Sequence, residues 1–187
     1  MKKTILVFLL PLTICISARS QTYKVGDNIV SLGIGIGSSI GNYGGSTQSP
    51  GIAAQYERAI WEAGPGVISL GGYLGYKGYK YSGFDQGYSF SEKWNYTIIG
   101  ARGAYHFTGI DVDNLDVYAG LMLSYNNLSY SYSDNSGTNL SGRGSYGSDL
   151  ELSAFGGARY YFANGLGAYG EIGFGVAVLS LGLCYHF

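Results

Sequence analysis

Six ionisable residues fall on stripes of small residues that repeat with a period of two: Glu57, Lys77, Arg102, Glu151, Arg159 and Glu171. Gly, Ser and Ala share their stripes, while the opposite stripe is almost purely aliphatic or aromatic, Arg58 being the exception near a strand end where it can snorkel. Alternate side chains of a strand point to opposite faces, so these charges are predicted to point away from an apolar surface. Charges gathered on one side can neutralise one another or line a conducting path or proton relay. Counted from the short connectors, Glu57, Arg102, Arg159 and Glu171 fall in one layer, with Lys77 and Glu151 above as a further pair. Buried charges need partners, which favours an internal ion-pair network. A conducting pore is the alternative.

Other chemistry is thinly represented. His106 and His186 both stand at strand ends, and neither has a Ser partner in a nucleophile motif. Gly33-Ile-Gly-Ile-Gly-Ser38 lacks the Gly-Lys-Ser/Thr of a phosphate-binding loop, and its glycines follow strand period. Asp111-Val-Asp113-Asn-Leu-Asp116 lacks the Gly and Glu that a calcium loop needs, and reads as a solvated turn. No catalytic residue, metal ligand or cofactor is expected. The candidates for recognition are tyrosines among Ser, Gly and Asn: Tyr79, Tyr81 and Tyr88 in residues 78–96, and Tyr130, Tyr132 and Tyr146 in residues 126–149. Such mixtures give amphipathic contact area with adaptable hydrogen bonding. A solvated cover over the fold is the plainer reading.

The elements that must position these residues are strands. Alternating segments run at about 28–37, 51–61, 67–77, 97–107, 115–125, 150–162, 166–175 and 178–187. Each is close to the roughly 9–11 residues of a tilted membrane-crossing strand. Long connectors (38–50, 78–96, 126–149) alternate with short ones (62–66, 108–114, 163–165), and Asn164-Gly165 reads as a type I′ turn. The link near Val176 is the exception, being very short where a long one is due. The fold class is therefore all-β, an eight-stranded antiparallel up-and-down transmembrane β-barrel.

Charge decides which face is which. A charge facing lipid at mid-depth costs roughly 2–4 kcal/mol, so the apolar stripes face out and the charged stripes in. A water-soluble barrel with this pattern would expose too much apolar surface. Outward aromatics gather at strand ends, with Trp61, Tyr105, Phe107, Tyr160, Phe162, Tyr185 and Phe187 at one level and Tyr76, Tyr125 and Phe174 at the other. Two such levels are the girdles of a membrane barrel.

Residues 1–20 read as an export signal: Lys2 and Lys3, an apolar run from Ile5 to Ile16, and Ala18-Arg-Ser20 as a cleavage site near Ser20. The barrel domain then covers residues 21–187. Cys15 follows Ile14, which is too bulky for a lipidation site. Without Lys2, Lys3 and Arg19, the 11 basic residues fall to 8 against 12 acidic, a net charge near −4. That is no footprint for nucleic acid. Cys184 is then alone, so no internal disulfide forms.

In the last strand, Leu179, Leu181, Leu183, Tyr185 and Phe187 form one strict stripe. With Gly157-Ala-Arg-Tyr-Tyr-Phe162 and Gly167-Ala-Tyr-Gly-Glu171, it resembles the small eight-stranded outer-membrane barrels. The likeness is nearest to the Bacteroidota-type or porin-like barrels and more distant to OmpA and OmpX. The resemblance implies a cell outer-membrane location in a Gram-negative bacterium, and contact with outer-membrane lipid and lipopolysaccharide. It also implies an insertion signal at Leu183, Tyr185 and Phe187, read by the barrel-assembly machinery. Enzymes on this scaffold resemble one another in placing His with Ser or acidic partners at the outer rim, a pattern not legible here. The expected role is structural or surface-interacting, with an extracellular partner held by residues 78–96 and 126–149. A small porin-like channel is the alternative, and an outer-leaflet lipid-modifying enzyme trails behind.

Overall fold

Val30, Leu32 and Ile34 alternate with Ser31, Gly33 and Gly35, and the same rhythm carries through most of the chain. In the computed structural model it produces strands only. The structure describes residues 23–37, 40, 44–85, 87–135, 139–143 and 148–187. The strands are β1 (Asn28–Ile36), β2 (Thr47–Gln48), β3 (Gly51–Ala63), β4 (Gly66–Asp85), β5 (Tyr88–Phe107), β6 (Leu115–Asp134), β7 (Asn139–Arg143), β8 (Asp149–Tyr161), β9 (Leu166–Gly173) and β10 (Leu179–His186).

Eight of them close into a barrel. Each of β1, β3, β4, β5, β6, β8, β9 and β10 pairs antiparallel with its neighbour in the chain. β1 closes on β10 in a register that sets Leu32 opposite Leu183 and Gly33 opposite Gly182. The short β2 adds to β4, and β7 adds to β6. The up-and-down barrel read from the sequence is the fold. Its outer surface is the apolar stripe, with Leu32, Ile52, Leu74, Ile99, Leu121, Leu152, Ile172 and Leu183 all exposed. Trp61, Phe107, Tyr160, Tyr185 and Phe187 ring the short-turn end; Tyr76, Tyr125 and Phe174 ring the other.

Two connectors expected as long loops are largely strand. β4, β5 and β6 each run 20 residues, against 8 to 13 for the other barrel strands. Residues 78–96 thus belong to the paired β4 and β5, whose register runs up to Asp85 opposite Tyr88, and residues 126–134 extend β6. Ser, Gly and Asn lower strand propensity, but the alternation of Tyr79, Tyr81, Phe90, Trp94, Tyr130 and Tyr132 keeps a register that pairing secures. Asn164-Gly165 also departs from expectation. A type I′ turn needs positive φ at both central residues; here Gly165 has φ 78° and Asn114 is the one described non-glycine residue with positive φ.

The short link after β9 turns inward. Gly173 N–H donates to the Val178 carbonyl at 3.0 Å, and Val176 and Ala177 point into the barrel, Val176 at 0% exposure. Glycines make the room: a Cβ on Gly35 would stand 2.5 Å from Ala177 Cβ, and one on Gly51 2.8 Å from Val176 Cγ2. Residues 1–20 and Tyr146 lie outside the described residues, so the export signal and that tyrosine have no structural account.

Candidate functional site

The lower interior, nearest the short turns, is built on facing strands. Gly71 on β4 is opposite Arg102 on β5, and Gly157 on β8 is opposite Tyr118 on β6 and Glu171 on β9. A Cβ on Gly157 would stand 2.7 Å from Tyr118 Oη, and one on Gly71 would meet the Tyr56 carbonyl on β3, so one glycine admits the ring and the other the close approach of the β3 backbone that carries Glu57. Arg102 Nε meets Glu57 Oε1 at 2.8 Å and its Nη2 meets Glu171 Oε2 at 2.7 Å. Arg159 bridges Glu57 Oε2 at 2.9 Å and Asp116 Oδ2 at 3.1 Å. Each guanidinium also lies over a ring, Arg102 at 3.8 Å from the Phe155 centroid and Arg159 at 4.0 Å from that of Tyr118. The four charges assigned to a lower layer do form one network.

The network is larger than the sequence shows. His106 Nδ1 contacts Asp116 Oδ1 at 2.8 Å, its Nε2 contacts Ser69 Oγ at 3.0 Å, and Glu57 Oε2 stands 3.6 Å from Nε2. Tyr118 donates to Glu171 Oε2 at 3.0 Å, and Gln55 donates to Glu171 Oε1 at 3.4 Å. All of these residues lie on inward stripes, which is the one signal that could have found them. Asp116 was hidden by its turn-like neighbours Asp111 and Asp113. Three carboxylates thus face two guanidiniums, with the His106 ring set between Asp116 and Ser69.

Ser69, His106 and Asp116 follow the hydrogen-bond order of an acyl-transfer triad, so His106 does have the Ser partner the sequence failed to show. This triad is enclosed within the barrel. Ser69 and His106 are both 0% exposed, and the Tyr23 ring covers His106 at 4.2 Å between centroids. A nucleophile needs an electrophile within reach, and a substrate would have to pass Tyr23 first. His186 pairs with Asp27 at 2.9 Å and lies on the other side of Tyr23, 6.0 Å between ring centroids.

The expected upper pair does not form. Lys77 donates to the Gly37 carbonyl and lies 5.6 Å from the Tyr79 ring centroid. Glu151 accepts from Asn126 Nδ2 at 2.8 Å. The two sit on different parts of the wall, so hydrogen bonds rather than an ion pair hold each. Between this level and the ion cluster the lumen is apolar: Ile98, Tyr73, Met122, Phe155 and Val176 pack together, and Tyr73 Oη accepts from Val176 N–H at 3.0 Å.

Above the barrel, the long strands form a blade with two unlike faces. The face continuing the inward stripe carries Tyr81, Phe90, Trp94, Tyr130 and Tyr132 with the acids Glu92 and Asp134. Trp94 and Tyr130 rings are 5.7 Å apart, Phe90 and Tyr132 are stacked at 6.2 Å, and Tyr81 and Phe90 are 5.9 Å apart. Tyr130 donates to Glu92 Oε1 at 2.8 Å; burial and that carboxylate push its hydroxyl up to about 12. Tyr81 and Tyr88 are exposed, Tyr130 and Tyr132 half-buried. Tyr79 differs from the surface tyrosine expected of it. It is 2% exposed, packs edge-on to Tyr96 and donates to the Ile40 carbonyl, so it belongs to the plug.

No protein-family model and no curated protein sequence matches this chain. Solved structures do. Ail, the attachment invasion locus protein of Yersinia pestis, in complex with the heparin analogue sucrose octasulfate, aligns at TM-score 0.53 and 11% identity, over 88% of this chain and all of Ail. A second Ail structure aligns at TM-score 0.48 and 11% identity over 88% of this chain and 100% of that one, and a de novo designed transmembrane β-barrel at 0.48 and 14% over 89% and 99%. The chain shares the small Ail-like barrel fold.

Proposed function

We propose that this chain is an integral outer-membrane barrel closed to solutes, acting through the blade at its long-strand end. The filled lumen carries the reading. Tyr23, the ion cluster, the apolar layer and the inturned Val176 follow one another along the axis. Eight strands enclose little more than side chains can fill, and here they fill it. In this reading residues 1–20 are an export signal cleaved near Ser20. The row Leu183, Tyr185 and Phe187 is what the assembly machinery engages, and the kinship is with Bacteroidota-type barrels. The blade is extracellular, and the chain is no enzyme.

The aromatic face is the recognition surface. It offers rigid rings with two carboxylates and, among the described residues above Lys77, no cation. That chemistry suits a neutral or cationic partner, unlike the sulfated ligand seen with Ail. Planar-bilayer recording of the purified barrel tests closure, with no unitary current expected. Reproducible single-channel steps from the unaltered protein would replace this reading with the porin-like one.

A further inference from the structure

The other face of the blade has its own chemistry. Lys80 on β4 and Lys93 on β5 are direct cross-strand partners, and both are exposed. Like charges set opposite each other in a sheet repel. Neither lysine has an ion-pair or hydrogen-bond partner among the described residues. Their row continues through Thr47 on β2 and Ser131 on β6. The neighbouring outward rows hold Gly78, Asn95 and Ser129 below, and Ser82, Ser91 and Ser133 above. Arg143 on β7 takes the register position beside Ser129. Among the described residues this face bears no carboxylate, whereas Glu92 and Asp134 lie on the face opposite. Charge is thus sorted by face: acids toward the barrel axis, bases away from it.

The outward face of the blade is the upward continuation of the lipid-facing surface. Tyr76, whose hydroxyl donates to Asn95 Oδ1 at 3.0 Å, marks the border of the apolar belt. Lys80 stands four residues beyond Tyr76, roughly 10 Å further along the axis for a tilted strand. A lysine stem can bend back over part of that distance. The headgroup layer spans roughly 5–8 Å beyond the hydrocarbon, so both ammonium groups come within its reach.

We infer that Lys80 and Lys93 form a clamp for a phosphate group of the surrounding lipid leaflet, the phosphorylated headgroup of a glycolipid being the class that fits. The inference rests on the membrane placement proposed above and is separate from the closed lumen. A bound phosphate converts a repelling pair into a shared attraction, and the flanking Ser and Asn side chains can donate to its remaining oxygens. The source is the leaflet because the clamp opens toward lipid, away from the barrel mouth.

The test uses the chain folded in phosphatidylcholine vesicles, alone, with bisphosphorylated lipid A, or with the same lipid stripped of phosphate. The bisphosphorylated lipid should raise the heat-unfolding midpoint by about 3 °C, and the stripped lipid should not. Lys93→Glu creates a cross-strand ion pair, so its midpoint should rise in plain vesicles while its response to lipid A disappears. The double Lys80→Arg/Lys93→Arg variant should keep the response. An undiminished response in Lys93→Glu, or an equal effect of the stripped lipid, overturns the clamp. Inorganic phosphate or soluble polyphosphate reproducing the full shift in plain vesicles overturns the leaflet as its source. Failure of the unaltered chain to insert into any vesicle would instead sink the membrane placement.

Discussion

The lower barrel and the blade are made of the same strands and solve opposite problems. Below, Glu57, Arg102, Asp116, Arg159 and Glu171 pair with one another inside the barrel wall. Above, Lys80 and Lys93 face each other with no ion-pair partner among the described residues, and Glu92 and Asp134 are kept on the far side of the sheet. Polar groups that satisfy one another leave nothing for a ligand; those left unsatisfied at a surface are available to one. The proposed reading accordingly puts recognition on the blade and integrity in the barrel.

The largest expected effect breaks the lower region. Arg102→Met strands Glu57 and Glu171 on one side each, and removing one partner of a buried pair costs roughly 3–5 kcal/mol. Urea unfolding in vesicles should show that loss while channel recordings stay silent. Unchanged stability together with new conductance would mean the cluster is no plug. A smaller loss is expected for Ser69→Ala, which leaves His106 Nε2 without its 3.0 Å partner. An unsatisfied buried group costs about 1–3 kcal/mol, and equality with the unaltered protein would show that Glu57 takes over.

On the blade the scale falls. Trp94→Ala removes one aromatic contact, about 0.5–1.5 kcal/mol beyond its buried area. The loss should be confined to the hairpin: hydrogen exchange should quicken in β5 and β6 above Tyr96 and stay slow around Arg159. Exchange quickening throughout would mean the two regions are one cooperative unit. The smallest effect is a titration. Tyr130 keeps its proton to about 12 when folded, against 10.0 when free. A raised hydroxyl stabilises the hairpin fully below pH 10 and loses that contribution as pH climbs toward 12. Trp94 fluorescence should report a midpoint near 12, and Glu92→Gln should bring it down. A midpoint that ignores Glu92 would detach the tyrosine from its carboxylate.

The sequence made the barrel legible because period two survives every change of composition. Face assignment followed from charge, and four of the six inward charges met as a cluster. Their partners were not legible, because register depends on closure: Asp116 reaches Arg159 only through the pairing of β6 with β8. Lys77 and Glu151 were paired on paper by level alone, and the wall separates them. The blade was obscured by Ser, Gly and Asn, whose low strand propensity was outweighed by cross-strand aromatic pairs. Tyr79 reads like its exposed neighbours and is buried because Ile40 and Tyr96 pack around it.

The seam between β1 and β10 sets the tempo of assembly. β4, β5 and β6 pair with their neighbours in the chain, but Leu32 must find Leu183 from the far end of the chain, and contacts that distant in sequence form slowly. The ion cluster draws one residue from each of β3, β5, β6, β8 and β9, so it cannot be completed on an open sheet. Until the seam shuts, those charges stay hydrated and oppose transfer into lipid. The cluster is thus a product of closure: parting β1 from β10 would open the wall that holds Glu57, Arg102, Asp116, Arg159 and Glu171 together.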